Sequence, residues 1–490
     1  MLYRLNGNLN WYLLFFLFFN FLSITSLCLY LSRKLTLVPS LILTLSVHIL
    51  LGYEFYANMQ FTKNATLYAV VGELVLYCFL QDGHKKDLFL GFLLVSAGIV
   101  TRDECFLFTL PFIGALLLVD FIQKKIDAIY LKNLVPVTLS VVGIYLISFG
   151  VHHYFYTQNN WAEFQEFNKY RTVLLDYNNH VSYEEYEDAF LEKGITKNMY
   201  ELMNTWDYGD TEVYTTQFMI DAAAIQQQHY QRISRVPQML WLFVRHMGNL
   251  LFQRNLYAFL LVALYGYLVI KKKKDFLLLA IAFAGVFFLE YMYLYYLGRI
   301  MWRAEIGIWL FPIVFLVQFL KQDFNHFNEK SIKKILIGTT VLELITLGIE
   351  LPRAQGVKQF WRENNHLAFY QEIQKDYPNT YYAADVMTFF PKKHVPDPLS
   401  ITTKYAGLFQ NFQEIGSWHI PSPTGEYYFY EAGIRNPVKA LVEGERVLFV
   451  CNDAHVLELM ENFLNEVYQK DIHFTKVDTI ADMNIYKAEN

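Results

Sequence analysis

Residues 1–53 contain neither Asp nor Glu, and the first acidic side chain of the chain is Glu54. Any carboxylate chemistry in the early part of the chain is thereby excluded. Cysteine is also scarce. Cys28, Cys78 and Cys105 fall in apolar runs and only Cys451 lies in a polar region, so neither a disulfide framework nor a metal-ligand spacing is present. Residues 351–490 lack a Gly-rich phosphate loop, a Ser nucleophile elbow and a metal motif. The first apolar run is not followed by a small-residue cleavage site, so it reads as a span and not as a signal peptide. No internal repeat relates two halves, which argues against the common transporter architectures.

Long apolar runs are what the sequence does have. Hydrophobic residues make up 54% of the 490, and the mean hydropathy of +0.20 averages two unlike materials. Residues 11–156 and 237–350 are strongly apolar, whereas 157–236 and 351–490 have the composition of soluble protein. A helix needs about 20 apolar residues to cross a bilayer. Candidate spans are 11–31, 35–56, 64–80, 88–101, 105–122, 134–155, 255–270, 276–297, 304–320 and 335–350. The expected fold is a polytopic α-helical membrane protein of about ten transmembrane helices, with an external helical loop region and a C-terminal external α/β domain. Its segments are 1–156, 157–236, 237–350 and 351–490.

Orientation follows from basic residues in short loops. Loops 32–34, 81–87, 123–133, 271–275 and 321–334 carry 15 Lys and Arg, against 5 in 1–10, 57–63, 102–104 and 298–303. The first set is assigned to the cytoplasm, which places both soluble regions on the external face of a multi-pass cell-membrane protein. The N-terminus is then external too. That is an awkward product for insertion, so the expectation is that one helix and its external loop precede Met1. The alternative is a genuine N-out chain.

In 157–236 the aromatics Trp161, Phe164, Phe167 and Tyr170 recur at helical spacing, which predicts short amphipathic helices. Residues 237–254 read as an interfacial helix that either shapes a lateral path for lipid or caps the bundle. In 351–490, strands are predicted at 381–386, 446–451, 473–477 and 484–487. A helix is predicted over 454–469, opened by an Asn452-Asp453 cap, and Asp453 with His455 reads as a cap and a surface histidine.

Ionisable groups at the external rim are the strongest chemical signal. Arg299 and Arg303 would share one helix face if their helix continues, and two guanidiniums suit a phosphate as well as they suit membrane anchoring. Trp302 and the neighbouring tyrosines read as an interfacial aromatic belt, whose faces also stack on sugars. Glu73, Glu290 and Glu343 lie within spans, where a carboxylate is costly unless it faces a cavity or a partner. Glu290 sits about two turns below Arg299. Asp103 and Glu104, beside Arg102, form an acidic pair on an external turn, and a sugar hydroxyl needs a base of this kind.

Three short stretches carry a resemblance: Gln60-Phe61-Thr62-Lys63-Asn64-Ala65, Thr101-Arg102-Asp103-Glu104 with Thr109-Leu110-Pro111-Phe112, and Tyr296-Leu297-Gly298-Arg299 with Arg303. Together with the span count and the external domains, they resemble bacterial membrane glycosyltransferases of the GT-C superfamily. The resemblance covers most of the chain, as architecture and short motifs. It implies transfer of a sugar from a polyprenyl-phosphate carrier to an envelope glycan, lipid or protein acceptor on the external face. It also implies a catalytic Asp or Glu in the first external loop, and residues 1–10 match only the tail of such a loop, without an acid. Asp103 and Glu104, followed by Glu54, are then the substitute bases. Arg102, Arg299, Arg303, Glu290 and Trp302 are the substrate-binding candidates, with an arginine stabilising the departing lipid phosphate. No cofactor is assigned, a divalent metal is left open, membrane lipids are expected neighbours, and nucleic acid is not an expected partner. The rival readings are a non-catalytic scaffold of envelope polysaccharide assembly and a lipid or solute transporter.

Overall fold

A computed structural model describes residues 5–32, 37–158, 160–177, 181–231, 236–253, 255–270, 274–324, 329–390, 392, 394–396, 405, 407–418, 420–423, 427–443 and 446–489. In chain order the first helices are α1 (Trp11–Ser32), α2 (Leu37–Gly52), α3 (Phe61–Asp82), α4 (Lys85–Thr101), α5 (Asp103–Leu107), α6 (Leu110–Ile122) and α7 (Ala128–Tyr156). Then come α8 (Trp161–Arg171), α9 (Glu187–Glu192), α10 (Lys197–Asn204), α11 (Thr216–Gln231), α12 (Val236–Phe252), α13 (Leu256–Ile270), α14 (Lys274–Leu297), α15 (Trp302–Phe324) and α16 (Glu329–Glu363). The C-terminal region runs α17 (Leu367–Asp376), β1 (Tyr381–Ala384), α18 (Val386–Phe389), β2 (Phe412–Glu414), α19 (Tyr427–Glu431), α20 (Pro437–Glu443), β3 (Val447–Val450), α21 (Ala454–Tyr468), β4 (His473–Ile480) and β5 (Met483–Glu489).

The chain divides into two compact units. One, all helical, comprises Tyr12–His152 and Arg235–Val357; the other comprises Met1–Trp11, His153–Ser234 and Lys358–Asn490. Among the described residues five helices are long and apolar enough to cross a membrane, or six if the bent pair α12 and α13 is one span. The five are α1, α3, the α5–α6 stretch, α7 and the Phe276–Leu297 part of α14. Three of the ten sequence-read runs yield helices of only 16, 17 and 15 residues, α2, α4 and α13. The reason for α2 is local: its apolar run ends in a five-residue π-helical turn, Tyr53–Ala57. The Lys271–Lys273 part of the basic run and the side chain of Glu343 lie outside the described residues.

The helical unit is organised around α3, in which every residue from Thr62 to Leu80 is buried. Small residues allow this. A Cβ on Gly72 would stand 2.7 Å from the Val95 nitrogen of α4, and one on Gly91 would stand 3.0 Å from the Gly72 carbonyl. The two backbones therefore touch. On the α15 side, a Cβ on Gly307 would meet Thr66 Cγ2 at 2.8 Å. From α1, Asn20 Oδ1 accepts the Tyr68 hydroxyl at 2.8 Å.

The other unit is α/β. Its sheet has the order β2-β1-β3-β5-β4, with β2, β1 and β3 parallel and the last two pairings antiparallel. Alternation along each strand feeds two cores. Ala383 and Phe449 face α21 and the helices of 161–225, in a core that includes Phe167, Phe190, Tyr214 and Phe463. Tyr382, Ala384 and Val450 face α17 through Phe369, Tyr370 and Ile373. Segments 153–234 and 358–490 thus share one hydrophobic core. The strands predicted near 381, 446, 473 and 484 are present, and Asp453 caps α21 by accepting from the His455 nitrogen at 2.9 Å.

Candidate functional site

The polar start of α3 gathers several of the sequence-selected residues. Gln60 caps the helix, its side-chain oxygen accepting from the Thr62 nitrogen at 2.8 Å and the Lys63 nitrogen at 3.3 Å. The π-helical turn that precedes it carries Glu54 to Lys63, with Nζ donating to Oε2 at 2.6 Å. The other oxygen of Glu54 accepts from Trp302 Nε1 at 3.0 Å, at the first residue of α15. Trp302 in turn meets the ring of Tyr257 edge to face, 5.7 Å between centroids. On the far side of the helix start, Arg102 Nη1 donates to Thr62 Oγ1 at 2.6 Å and its guanidinium lies 5.5 Å above the Phe61 ring. Arg102 also pairs with Glu104, Nε to Oε2, at 3.3 Å. Glu54, Trp302, Arg102 and Glu104 thus converge on residues 61–63, with Asp103 half-buried beside them.

Two groups nearby have unused capacity. The Tyr257 hydroxyl is buried without a hydrogen-bond partner among the described residues, within electrostatic reach of Glu54 and Glu350. Glu350 Oε1 accepts from Arg353 Nη1 at 3.1 Å, while its Oε2 is buried and has no hydrogen-bond partner among the described residues. Buried groups in that condition call for a water, an ion or a ligand.

Both oxygens of Glu54 are engaged, so its geometry holds Lys63 and Trp302 in place. Asp103 and Glu104 are the acids of the cluster that remain open to an incoming molecule, Glu104 being exposed. Arg299 and Arg303 do not share a helix face. The helix ends at Leu297, Gly298 turns the chain at φ +71, and a new helix begins at Trp302. That positive φ suits a residue without a Cβ. Arg299 is half-buried in the break and Arg303 is exposed on α15. Glu290 is buried on α14 with neither oxygen hydrogen-bonded among the described residues.

Sequence reasoning passed over Lys63, Tyr257, Glu350 and a second network one turn along α15. There Glu305 Oε2 contacts His246 Nε2 at 2.7 Å and accepts the Tyr291 hydroxyl at 2.8 Å. Tyr291 oxygen accepts from Trp309 Nε1 at 2.8 Å, so α12, α14 and α15 are tied at one point. The available signal was an acid in the first turn of a helix that follows a Gly break.

The α/β unit contains the other concentration of acids. Open parallel sheets bind ligands outside the carboxyl ends of their strands, and here those ends place Asp385 after β1, Glu414 at the end of β2 and Cys451 after β3. The crevice is filled by the turn 205–210. Gly416 lies so close that a Cβ there would stand 1.7 Å from the Trp206 carbonyl, and Asp207 Oδ1 accepts from the Val386 nitrogen at 2.9 Å. Burial, with Asp385 nearby, raises the Asp207 carboxyl well above the usual range. Burial likewise raises Asp385, and burial followed by the charge of Asp385 brings Glu414 to about 7. Among the described residues no group of three or more His, Cys, Asp or Glu is arranged to hold a metal ion.

Compared with known proteins, the chain matches no family model, no curated protein and no solved structure.

Proposed function

We propose that the chain is a multi-pass membrane glycosyltransferase that moves a sugar from a polyprenyl-phosphate carrier to a glycan, lipid or protein acceptor on the external face. The observation that carries this reading is the convergence of Arg102, Lys63, Glu54, Glu104 and Trp302 on the start of α3. Arg102 supplies a cation for a phosphate, Phe61 and Trp302 supply aromatic rings for a sugar, and Asp103 or Glu104 supplies an acid group for a hydroxyl proton, all held through residues 54–63 or beside Arg102. Asp103 or Glu104 takes the acceptor proton, the oxygen attacks the anomeric carbon, and Arg102 stabilises the phosphate that leaves. The proposed ten-span topology adds α2, α4, α13, α15 and the apolar half of α16 to the five helices that are long and apolar enough to cross; α2 continues into its π-helical turn, α4 reaches the lower limit of about 17 residues, and α13, with 15, needs its bent partner α12 to complete a span.

The test is a transfer assay with the full chain in vesicles, a polyprenyl-phosphate sugar and a panel of acceptors. Turnover that disappears in the Asp103→Asn, Glu104→Gln double variant is expected. Turnover surviving that double change and Glu54→Gln removes the base assignment. Sidedness is tested by cysteine labelling with an impermeant reagent in intact cells, in a background without native cysteines. Labelling within 271–274 but not within 157–236 overturns the external placement.

The engagement of both Glu54 oxygens favours a second reading, a non-catalytic scaffold of envelope polysaccharide assembly. Donor binding without transfer to any acceptor would select it.

A further inference from the structure

A cavity of about 370 Å³ lies between α3, α4, α5, α6 and α7, away from the start of α3. Its wall is mostly hydrocarbon, from residues such as Phe106 and Ile113, with Tyr77, Thr138 and Tyr145 as hydroxyl-bearing members and Glu73 as the one acid that lines it. Leu110 and Val142 line it while remaining 41% and 47% and so substantially exposed, which places its mouth between α6 and α7. Helix α7 buries only Tyr130 of its 29 residues. The mouth therefore opens on the apolar outer face of the unit.

The hydrogen count at Glu73 shows what it can face. Thr109 Oγ1 lies 2.5 Å from Glu73 Oε1 and 2.6 Å from the Phe106 carbonyl oxygen. A hydroxyl has one hydrogen, and both neighbours would be acceptors if Glu73 were a carboxylate. A carboxylic acid resolves the conflict: Glu73 donates to Thr109, and Thr109 donates to Phe106. The remaining oxygen, Oε2, is buried without a partner among the described residues. A neutral acid tolerates that far better than an ion. Water does not suit the space, because it needs two to four polar partners and the lining, apart from Glu73 and the hydroxyl-bearing Tyr77, Thr138 and Tyr145, is almost entirely apolar. A cavity of about 370 Å³ is many times larger than one water-sized group of roughly 30 Å³ and accommodates a stretch of hydrocarbon chain.

We propose that this cavity binds one acyl chain of a bilayer phospholipid, which enters between α6 and α7 and ends against the neutral carboxyl of Glu73. The site rests on the membrane reading but not on sugar transfer.

The experiment uses the full chain in phosphatidylcholine–phosphatidylglycerol vesicles doped with phosphatidylcholine that carries a diazirine near the end of one acyl chain. After irradiation, adducts are mapped by peptide mass spectrometry. Adducts on Ile113, Val141 and Tyr145 are expected in excess over Leu139, which is exposed on α7 and does not line the cavity. Val141→Trp, read on the monodisperse fraction, should lower the Tyr145 adduct about tenfold by filling the space, whereas Leu139→Trp should leave it unchanged. Glu73→Gln keeps a neutral end wall and should retain labelling; Glu73→Lys should lose it. Adducts on Leu139 equal to those on Tyr145 in the unmodified chain would overturn the site without any variant. Adducts nowhere would overturn the membrane reading and this site with it, and neither result depends on whether transfer is detected.

Discussion

Helices α3 and α7 belong to the same unit, and both are long enough to cross a membrane. The less apolar of the two is the buried one. α3 carries Lys63, Asn64, Thr66 and Glu73, and it is surrounded from Thr62 to Leu80. α7 is apolar along most of its length and buries only Tyr130. In water the order would be reversed. The observed order fits the membrane reading proposed above: in a hydrocarbon solvent apolar surface has nothing to gain by burial, and a helix with glycines and hydrogen-bonding groups takes the centre. The difference teaches that burial in this unit reports close packing and polar satisfaction, not hydropathy.

The sharpest way to break the comparison is Gly72→Leu. Its side chain would enter the space of the Val95 backbone, and overpacking there should cost about 3 kcal/mol or more. Loss of the monodisperse species in size-exclusion chromatography of the solubilised chain is the expected result; an unaltered profile would mean that α3 and α4 do not touch.

Lys63→Ala comes next. The Lys63 side chain is only 3% exposed, and that of Glu54 13%. Removing one partner of such a pair costs about 3–5 kcal/mol, most of it from the carboxylate left behind. The double change Lys63→Met, Glu54→Leu should recover most of that loss in thermal unfolding. If the double variant is as unstable as the single one, burial of an uncompensated charge is not the cause.

The acids of the α/β unit extend the contrast from lysine to carboxyl groups. Folded Glu414 holds its proton up to about pH 7, whereas an unfolded glutamate releases it near 4.3. The native state then binds more protons across this window, so stability is greatest below about pH 4 and falls as pH rises through 7. The loss should be on the order of 3 kcal/mol. Urea midpoints should be higher at pH 5 than at pH 8, and Glu414→Gln should reduce the slope while Asp207 and Asp385 maintain the rest. A midpoint that rises with pH would contradict the burial of these acids.

The smallest effect sharpens the other half of the comparison. Leu139 is 69% exposed on α7, and Leu139→Ala should change stability by less than about 0.5 kcal/mol. A large loss in thermal unfolding would reveal a partner for that face.

What was legible in the sequence had a local cause. The apolar run Val447-Leu448-Phe449-Val450 could only be a buried strand, and Asp453 before a 3.6-residue apolar period could only open a helix. β2 was not legible, because Phe412-Gln413-Glu414 is three residues long and two of them are polar. The shared core of 153–234 and 358–490 has no periodicity that would announce it. At the candidate site the residue types were readable but their meeting was not. Glu54 and Trp302 are 248 positions apart, and packing brings them together where Gly307 admits Thr66. The four-residue spacing of Arg299 and Arg303 misled for the opposite reason. It presupposed a continuous helix, and Gly298 breaks it.

The shared core of the α/β unit has a consequence for biosynthesis. Residues 153–234 leave the ribosome with their half of the core, including Phe190, Tyr200 and Met219, but without the sheet that covers it. Residues 235–357 must follow before any of the covering segment appears. At a synthesis rate of roughly 5–20 residues per second, that delay is about 6 to 25 s. During this interval a nascent chain displays an aromatic surface that its own residues 358–490 later conceal. A ribosome that stalls before residue 358 would release a product marked for chaperones or proteases by that surface, whether or not its helical unit is intact.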